Sequence, residues 1–291
     1  MCQIKSAIIL KDKTFCPFDY DDHSKMLEEL GIKDNTKTPD FVRVEMNPKD
    51  GNIFNHDLDN WVLKVDQDFK PEWFSEKFAA KEMQRELKNW WQERFIFDDK
   101  SWKKLQGSKF YVKNSSVVAW ENSSVVAWEN SSVVARENSS VVAWENSSVV
   151  AWENSSVVAR ENSSVVAWGN SSVEARENSS VVARENSSVV AWGNSSVVAR
   201  ENSSVVAWEN SSVVAWGNSS VVARENSSVV AWENSSVVAW GNSQILIPYN
   251  WSDNVKIKNI QDLASVKDLR VNKIFVSDKK LKLAQFKLPK K

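Results

Sequence analysis

From Asn114 to Gly241 the chain carries one pattern of polar and apolar positions, repeated sixteen times with a period of eight and typified by NSSVVAWE. Numbered 1 to 8 from Asn114, position 1 is always Asn, positions 2 and 3 are always Ser, position 4 is always Val and position 6 is always Ala. Position 5 is Val except at Glu174, and position 7 is Trp ten times and Arg six times. Position 8 is Glu except at Gly169, Gly193, Gly217 and Gly241. The variation sorts by parity. Positions 2, 4 and 6 never change, whereas positions 5 and 7 accept charge. Alternate side chains of a β-strand face opposite sides, so the pattern predicts Ser, Val and Ala in a narrow interior, with Val/Glu and Trp/Arg outside. Burying Glu174 unpaired would cost several kcal/mol, and outward placement avoids that cost. Glu-Asn and Gly-Asn at positions 8 and 1 read as a corner, because Asn and Gly tolerate positive φ. A short strand with a corner cannot bury its own face, so successive octads must stack.

The expected fold is mainly β: a two-sided β-solenoid of two octapeptides per coil and about eight coils, between a small α+β N-terminal domain and a C-terminal β cap. Two octads per coil would set Ser115 against Ala127, Val117 against Val125 and Ala119 against Ser123, giving layers of equal volume. Three octads would leave a wider core that these side chains fill poorly. At about 4.8 Å per coil the array would span roughly 38 Å. Stacking would raise one outward column of Trp120, Arg136, Trp152, Trp168, Arg184, Arg200, Trp216 and Trp232. The opposite column would be Trp128, Trp144, Arg160, Arg176, Trp192, Trp208, Arg224 and Trp240. Indole and guanidinium neighbours attract by about 0.5–1.5 kcal/mol per contact. These columns are the candidate interaction surface.

Outside the octads the patterning is globular. Residues 1–113 are expected to form the N-terminal capping domain. Ile4–Leu10 and Thr14–Phe18 read as a hairpin. Asp21 or Asp22 caps a short helix carrying Met26, Leu27 and Leu30, which Gly31 ends. Phe41–Met46 and Trp61–Val65 alternate as strands. Ser75 caps a second helix with Ala79, Met83, Leu87, Trp90 and Trp91 on one face. Gly107–Lys113 resemble a degenerate lead-in to the octads. Residues 242–291 are expected to cap the far end, with Ile245–Ile247 pairing, Pro248 ending that strand, and Val255, Ile257, Leu263, Val266, Ile274 and Val276 forming decayed coils or a closing sheet. Lys279, Lys280, Lys282 and Lys287 would guard that edge.

Composition narrows the function. Net charge is −1, so no global field favours nucleic acid or a membrane. The charge is uneven, however: the octads carry six Arg against thirteen Glu, while residues 243–291 carry ten Lys and one Arg against four Asp. Cys2 and Cys16 are too few for a disulfide framework. The apolar patch Ala7–Leu10 is short for a signal segment, and no apolar run approaches the roughly 18 residues of a membrane helix. The expectation is a cytoplasmic protein.

Candidate chemistry is thin. Removal of Met1 would expose Cys2 as an N-terminal nucleophile, but Gln3-Ile4-Lys5 is not a Gly-rich continuation. Cys16 and His23, beside Asp21 and Asp22, could form a thiolate–imidazole pair. His56, Asp57 and Asp59 could touch a metal, yet two His without an HxxxH or CxxC spacing support no metal site. No Gly-rich phosphate loop is present. The repeated Asn-Ser-Ser, like Asn250-Trp251-Ser252, matches a glycosylation acceptor but follows from corner chemistry.

KSAIILKDKTFCP, MLEELGI, FVRVEMNPKDG and WVLKVDQD, followed by NSSVVAW octads, resemble a family of uncharacterised bacterial and phage-associated octapeptide-repeat β-solenoid proteins with a small N-terminal capping domain. The resemblance implies the solenoid fold and no catalytic residues. The functional expectation is a non-enzymatic structural or interaction protein, without cofactor or metal, whose Trp/Arg ladders bind a protein partner or a second copy rather than nucleic acid or membrane. Alternatives are a hydrolase or toxin-like activity in residues 1–113 with the solenoid as a handle, an acidic nucleic-acid mimic, and polymerisation through the solenoid ends.

Overall fold

The computed structural model describes residues 5–34, 40–53, 55, 57–249 and 254–276, together with the backbone of 284–287. Two compact units divide the chain, Met1–Phe95 and Ile96–Lys291.

In the first unit, β1 (Lys5–Leu10), β2 (Thr14–Phe15), β3 (Phe41–Pro48) and β4 (Trp61–Val65) form an antiparallel sheet in the order β2-β1-β3-β4. Helix α1 (His23–Glu29) starts where the Asp22 carboxylate accepts from the Ser24 and Lys25 amides. It stops before Gly31, whose φ of +68° lies in the left-handed region that glycine enters without Cβ strain. Helix α2 (Glu76–Arg94) is capped by Ser75, which accepts from the Phe78 amide. Its buried stripe is Ala79, Met83, Leu87, Trp90 and Trp91, the 3.6-residue face legible in the sequence. Trp61 meets Trp91 edge-on at 5.2 Å, and Trp90 meets Phe95 at 4.7 Å, the offset that ring quadrupoles favour.

The second unit is a β-solenoid of about ten turns. Octad strands alternate between a 13-stranded and an 11-stranded sheet. Each pairs in parallel with the strand sixteen residues on: Ser132 with Ser148, Val133 with Val149, Val134 with Val150 and Ala135 with Ala151. The next sheet repeats this step from Ser140 to Ser156. Interior positions are as parity requires. Ser139, Val141 and Ala143 are 0–2% exposed, and their equivalents behave alike.

The corner explains two further invariant residues. The amide of Ser139 donates to the Arg136 carbonyl at 3.2 Å, closing a four-residue turn over positions 7, 8, 1 and 2. Its hydroxyl donates to the same carbonyl at 2.6 Å. The two central residues, Glu137 and Asn138, have φ of +51° and +64°. Positive φ at both centres is the type I′ requirement, for which Asn is suited and Gly better still. Glu is not, yet all twelve position-8 glutamates occupy this region, as do the four glycines. The corners also stack: the Asn138 amide donates to the Glu153 carbonyl at 3.1 Å.

Stacking runs past the octads at both ends. Strand Lys103–Gln106 pairs with the strand of Val117, and Lys109–Lys113 with that of Ser124, both in parallel. Beyond Gly241, Gln244–Ile247 and Lys256–Ile260 continue the parallel ladders. Val255, Ile245, Ile247 and Val266 are buried. Strand Ser265–Asp268 then pairs antiparallel with Lys273–Val276, and that with Ala284–Lys287. The far end therefore contains both decayed coils and a closing antiparallel sheet. Lys279, Lys280 and Lys282 lie outside the described residues.

Candidate interaction surface

Because position 7 follows the buried Ala and precedes the corner, its side chain leaves the coil on the outer side. Fifteen of the sixteen position-7 residues are half-buried, and Arg200 is exposed. The half-burial comes from their neighbours in the column. On one face Arg136 lies between Trp120 and Trp152, its guanidinium 4.9 and 5.9 Å from the ring centres. Trp152 stacks on Trp168 at 5.1 Å, Arg184 covers Trp168 at 4.7 Å, and Trp216 stacks on Trp232 at 5.0 Å. On the other face Arg160 covers Trp144 at 4.7 Å, Trp192 stacks on Trp208 at 4.9 Å, and Arg224 lies between Trp208 and Trp240 at 4.4 and 5.4 Å. These interplanar angles are 3–6° for the Trp pairs, set by the in-register backbone beneath. The lead-in strands extend both columns, with Lys104 over Trp120 at 4.8 Å and Tyr111 stacked on Trp128 at 6.4 Å.

Two arginines follow another arginine in their column, so no indole lies beneath them. Arg176 instead binds Glu174, its Nε donating to Oε1 at 2.7 Å. The single Val-to-Glu departure at position 5 thus supplies a carboxylate beside the Arg160–Arg176 run. Arg200, after Arg184, is the exposed one, and among the described residues it has no ion pair. Each of these arginines borders a notch. One is about 350 Å³, lined by Arg200, Glu201, Trp216, Gly217 and Glu233. Its counterpart is about 330 Å³, lined by Arg176, Glu177, Trp192, Gly193 and Glu209. The notches open where Gly replaces Glu in the position-8 column. A Cβ at Gly217 would come 3.3 Å from the Glu233 carboxylate, and one at Gly193 would come 3.4 Å from that of Glu209.

The spacing of the notches has a simple origin. The glycines recur every 24 residues, at 169, 193, 217 and 241, whereas the pairing step is sixteen. A feature with the longer period therefore alternates between the two sheets, every second glycine falling on the same one. The glycine period stands in the sequence and the sixteen-residue step in the strand pairing, and the notches follow only when the two are combined.

The other sequence candidates do not converge. Cys2, His56 and Asn250–Ser252 lie outside the described residues. Cys16 and His23 are engaged separately. The Cys16 thiol donates to the Ser6 carbonyl at 3.6 Å, and burial pushes its pKa up from 9.0 to about 12. Asp21 holds Lys5 at 2.9 Å, and Asp22 is the cap of α1. Asp57 accepts from the Asp59 amide at 3.0 Å in a local turn. Sequence spacing did not disclose one grouping that the fold creates: His23, Glu45 and Asp66 present ligand atoms within 4.8 Å of one another. Among the described residues, no helix is long and apolar enough to cross a membrane. No protein-family model, curated protein or solved structure matches this chain.

Proposed function

We propose that this is a non-enzymatic structural and interaction protein. A flattened two-sided solenoid, with two octads in each of eight octad coils, would serve as a rigid cytoplasmic scaffold. Its Trp/Arg columns would dock a protein partner or a second copy. The observation that carries this reading is the pair of outward columns whose indoles and guanidiniums are aligned by the backbone, interrupted by equivalent notches on opposite sheets. Contiguous aromatic surface of this kind marks association sites, and Trp and Arg are the residues that dominate interface energetics. Side chains held by their column neighbours lose little rotamer freedom on docking, which lowers the entropic cost of association. The sixteen-residue pairing step supports the two-octad coil.

The test replaces Trp192, Trp208, Trp216 and Trp232 with Ser in the full chain and measures oligomer mass by sedimentation velocity over a range of concentrations. The proposal expects the unmodified chain to associate and the variant to remain monomeric with an unchanged β-type circular dichroism spectrum. Equal sedimentation of the two proteins, together with equal binding of any partner co-purified with the unmodified chain, would overturn it.

A further inference from the structure

Three residues far apart in sequence meet on one side of the N-terminal sheet. His23 begins α1, Glu45 lies in β3, and Asp66 follows β4. Antiparallel pairing brings β3 and β4 together, with Glu45 opposite Lys64. The Asp66 amide donates to the Arg43 carbonyl at 2.9 Å, which fixes where its carboxylate begins. Glu45 and His23 are buried, at 2% and 4% exposure, and Asp66 is exposed.

The protonation of the imidazole is constrained by its partners. Nε2 lies 3.2 Å from the Val44 carbonyl oxygen. A carbonyl only accepts, so Nε2 carries a proton. Nδ1 lies 3.4 Å from an Asp66 carboxylate oxygen, with the Glu45 carboxylate in the same cluster. An imidazole nitrogen and two carboxylates from three separate elements thus converge, two of the three side chains being buried. Ring orientation by an Nε2–H to carbonyl bond is the usual outer-shell support of a metal-ligating histidine. One imidazole nitrogen with two carboxylates is a donor set for first-row divalent ions.

We propose that His23 Nδ1, Glu45 and Asp66 form a binding site for one divalent transition-metal ion. The Lys64 ammonium lies 3.8 Å from Glu45 Oε2 and competes with an ion for that carboxylate. Its side chain is 55% exposed, so it can swing into water when the ion enters. This site is independent of the solenoid columns and of the function proposed for them.

Cobalt(II) is the probe, because coordination by nitrogen and oxygen ligands gives it visible absorption bands. The full chain, stripped with chelator, is titrated with Co²⁺ and by calorimetry with Zn²⁺. One saturable equivalent is expected. Asp66→Asn and His23→Gln should weaken it by about ten-fold or more, and Lys64→Met should strengthen it by removing a competing cation. His56→Gln, altering the only other histidine, should leave it unchanged. Asp66 is exposed enough for Asp66→Asn to preserve the fold, and circular dichroism checks this. Absence of saturable binding by the unmodified chain, or equal binding by Asp66→Asn, would overturn the proposal. So would an NMR signature of a doubly protonated His23 that persists when either ion is added.

Discussion

Every position-8 glutamate sits at positive φ, and this makes a directional prediction for Glu185→Gly. Glu185 has φ of +49°. The left-handed region costs an L-residue about 1–2 kcal/mol through its Cβ and the following carbonyl. Glycine removes that strain but has more conformational freedom to lose on folding, at a cost of about 0.4–1 kcal/mol. The net expectation is stabilisation by about 1 kcal/mol. In a unit of this size that raises the melting temperature by about 2–4 °C. The backbone bond from the Asn170 amide to the Glu185 carbonyl, 3.1 Å, is indifferent to the side chain and should persist. Stacked glutamates also repel, so charge removal alone could stabilise. Glu185→Ala separates the two causes, because alanine loses the charge and keeps the Cβ. The assay is thermal and urea unfolding of the full chain, followed by circular dichroism at low and high salt. Strain predicts that Glu185→Gly gains stability at both salt concentrations while Glu185→Ala gains little. If Glu185→Ala matches Glu185→Gly and salt abolishes both gains, repulsion is the cause and the corner strain is not. A destabilised Glu185→Gly would refute the corner geometry itself.

Other substitutions test separate parts of the account. Val173→Glu would put a carboxylate at a position 4% exposed and should cost several kcal/mol. Glu174→Val, one residue on, should change stability by no more than about 1 kcal/mol, since it removes only a half-exposed pair with Arg176; unfolding curves compare them. Gly217→Glu restores the consensus octad and fills the notch beside Trp216, so association should weaken with the β spectrum unchanged, as read by sedimentation. Cys16 should resist alkylation by iodoacetamide at pH 8 until denaturant is added. Its thiol ionises near 9.0 when unfolded and near 12 when folded, chiefly through burial. The folded state therefore holds the proton longer, this contribution is fully present below pH 9, and it is lost as pH rises from 9 to 12, by up to about 1.4 kcal/mol per pH unit.

What the sequence disclosed depended on whether the chemistry was periodic or assembled from a distance. Parity was legible because charge at Glu174 and at the six position-7 arginines marks the outer face, while unvarying Ser, Val and Ala mark the inner one. The helices of the N-terminal unit were legible from local signals: Asp22 and Ser75 as caps, Gly31 as a stop, and Met83, Leu87 and Trp91 at helical spacing. The corner was legible in place but not in detail. Asn and Gly announced positive φ, but nothing in a glutamate announces it. The reason for Ser at position 2 emerged only with its hydroxyl bonded across the turn, as from Ser139 to the Arg136 carbonyl. The stacked strands also begin ahead of the first octad, with Phe95–Phe97 and Lys103–Gln106, where no NSSVVA pattern signals them. His23, Glu45 and Asp66 were unreadable as a group, because their proximity arises from strand pairing and not from spacing.

Coil size is the claim on which the outward columns and the alternating notches both rest. The glycine period of 24 residues would equally suit a coil of three octads, so the two must be told apart directly. With Cys2 and Cys16 changed to Ser, cysteines introduced in pairs at outward position 5 and labelled with pyrene report proximity through excimer emission. Val134 pairs with Val150 in the sheet, about 4.8 Å away, whereas Val158 belongs to the opposite sheet. The two-octad coil predicts strong excimer emission from the Val134→Cys/Val150→Cys pair and none from Val134→Cys/Val158→Cys. The reverse result, emission from the pair 24 residues apart and not from the pair sixteen apart, would contradict the account.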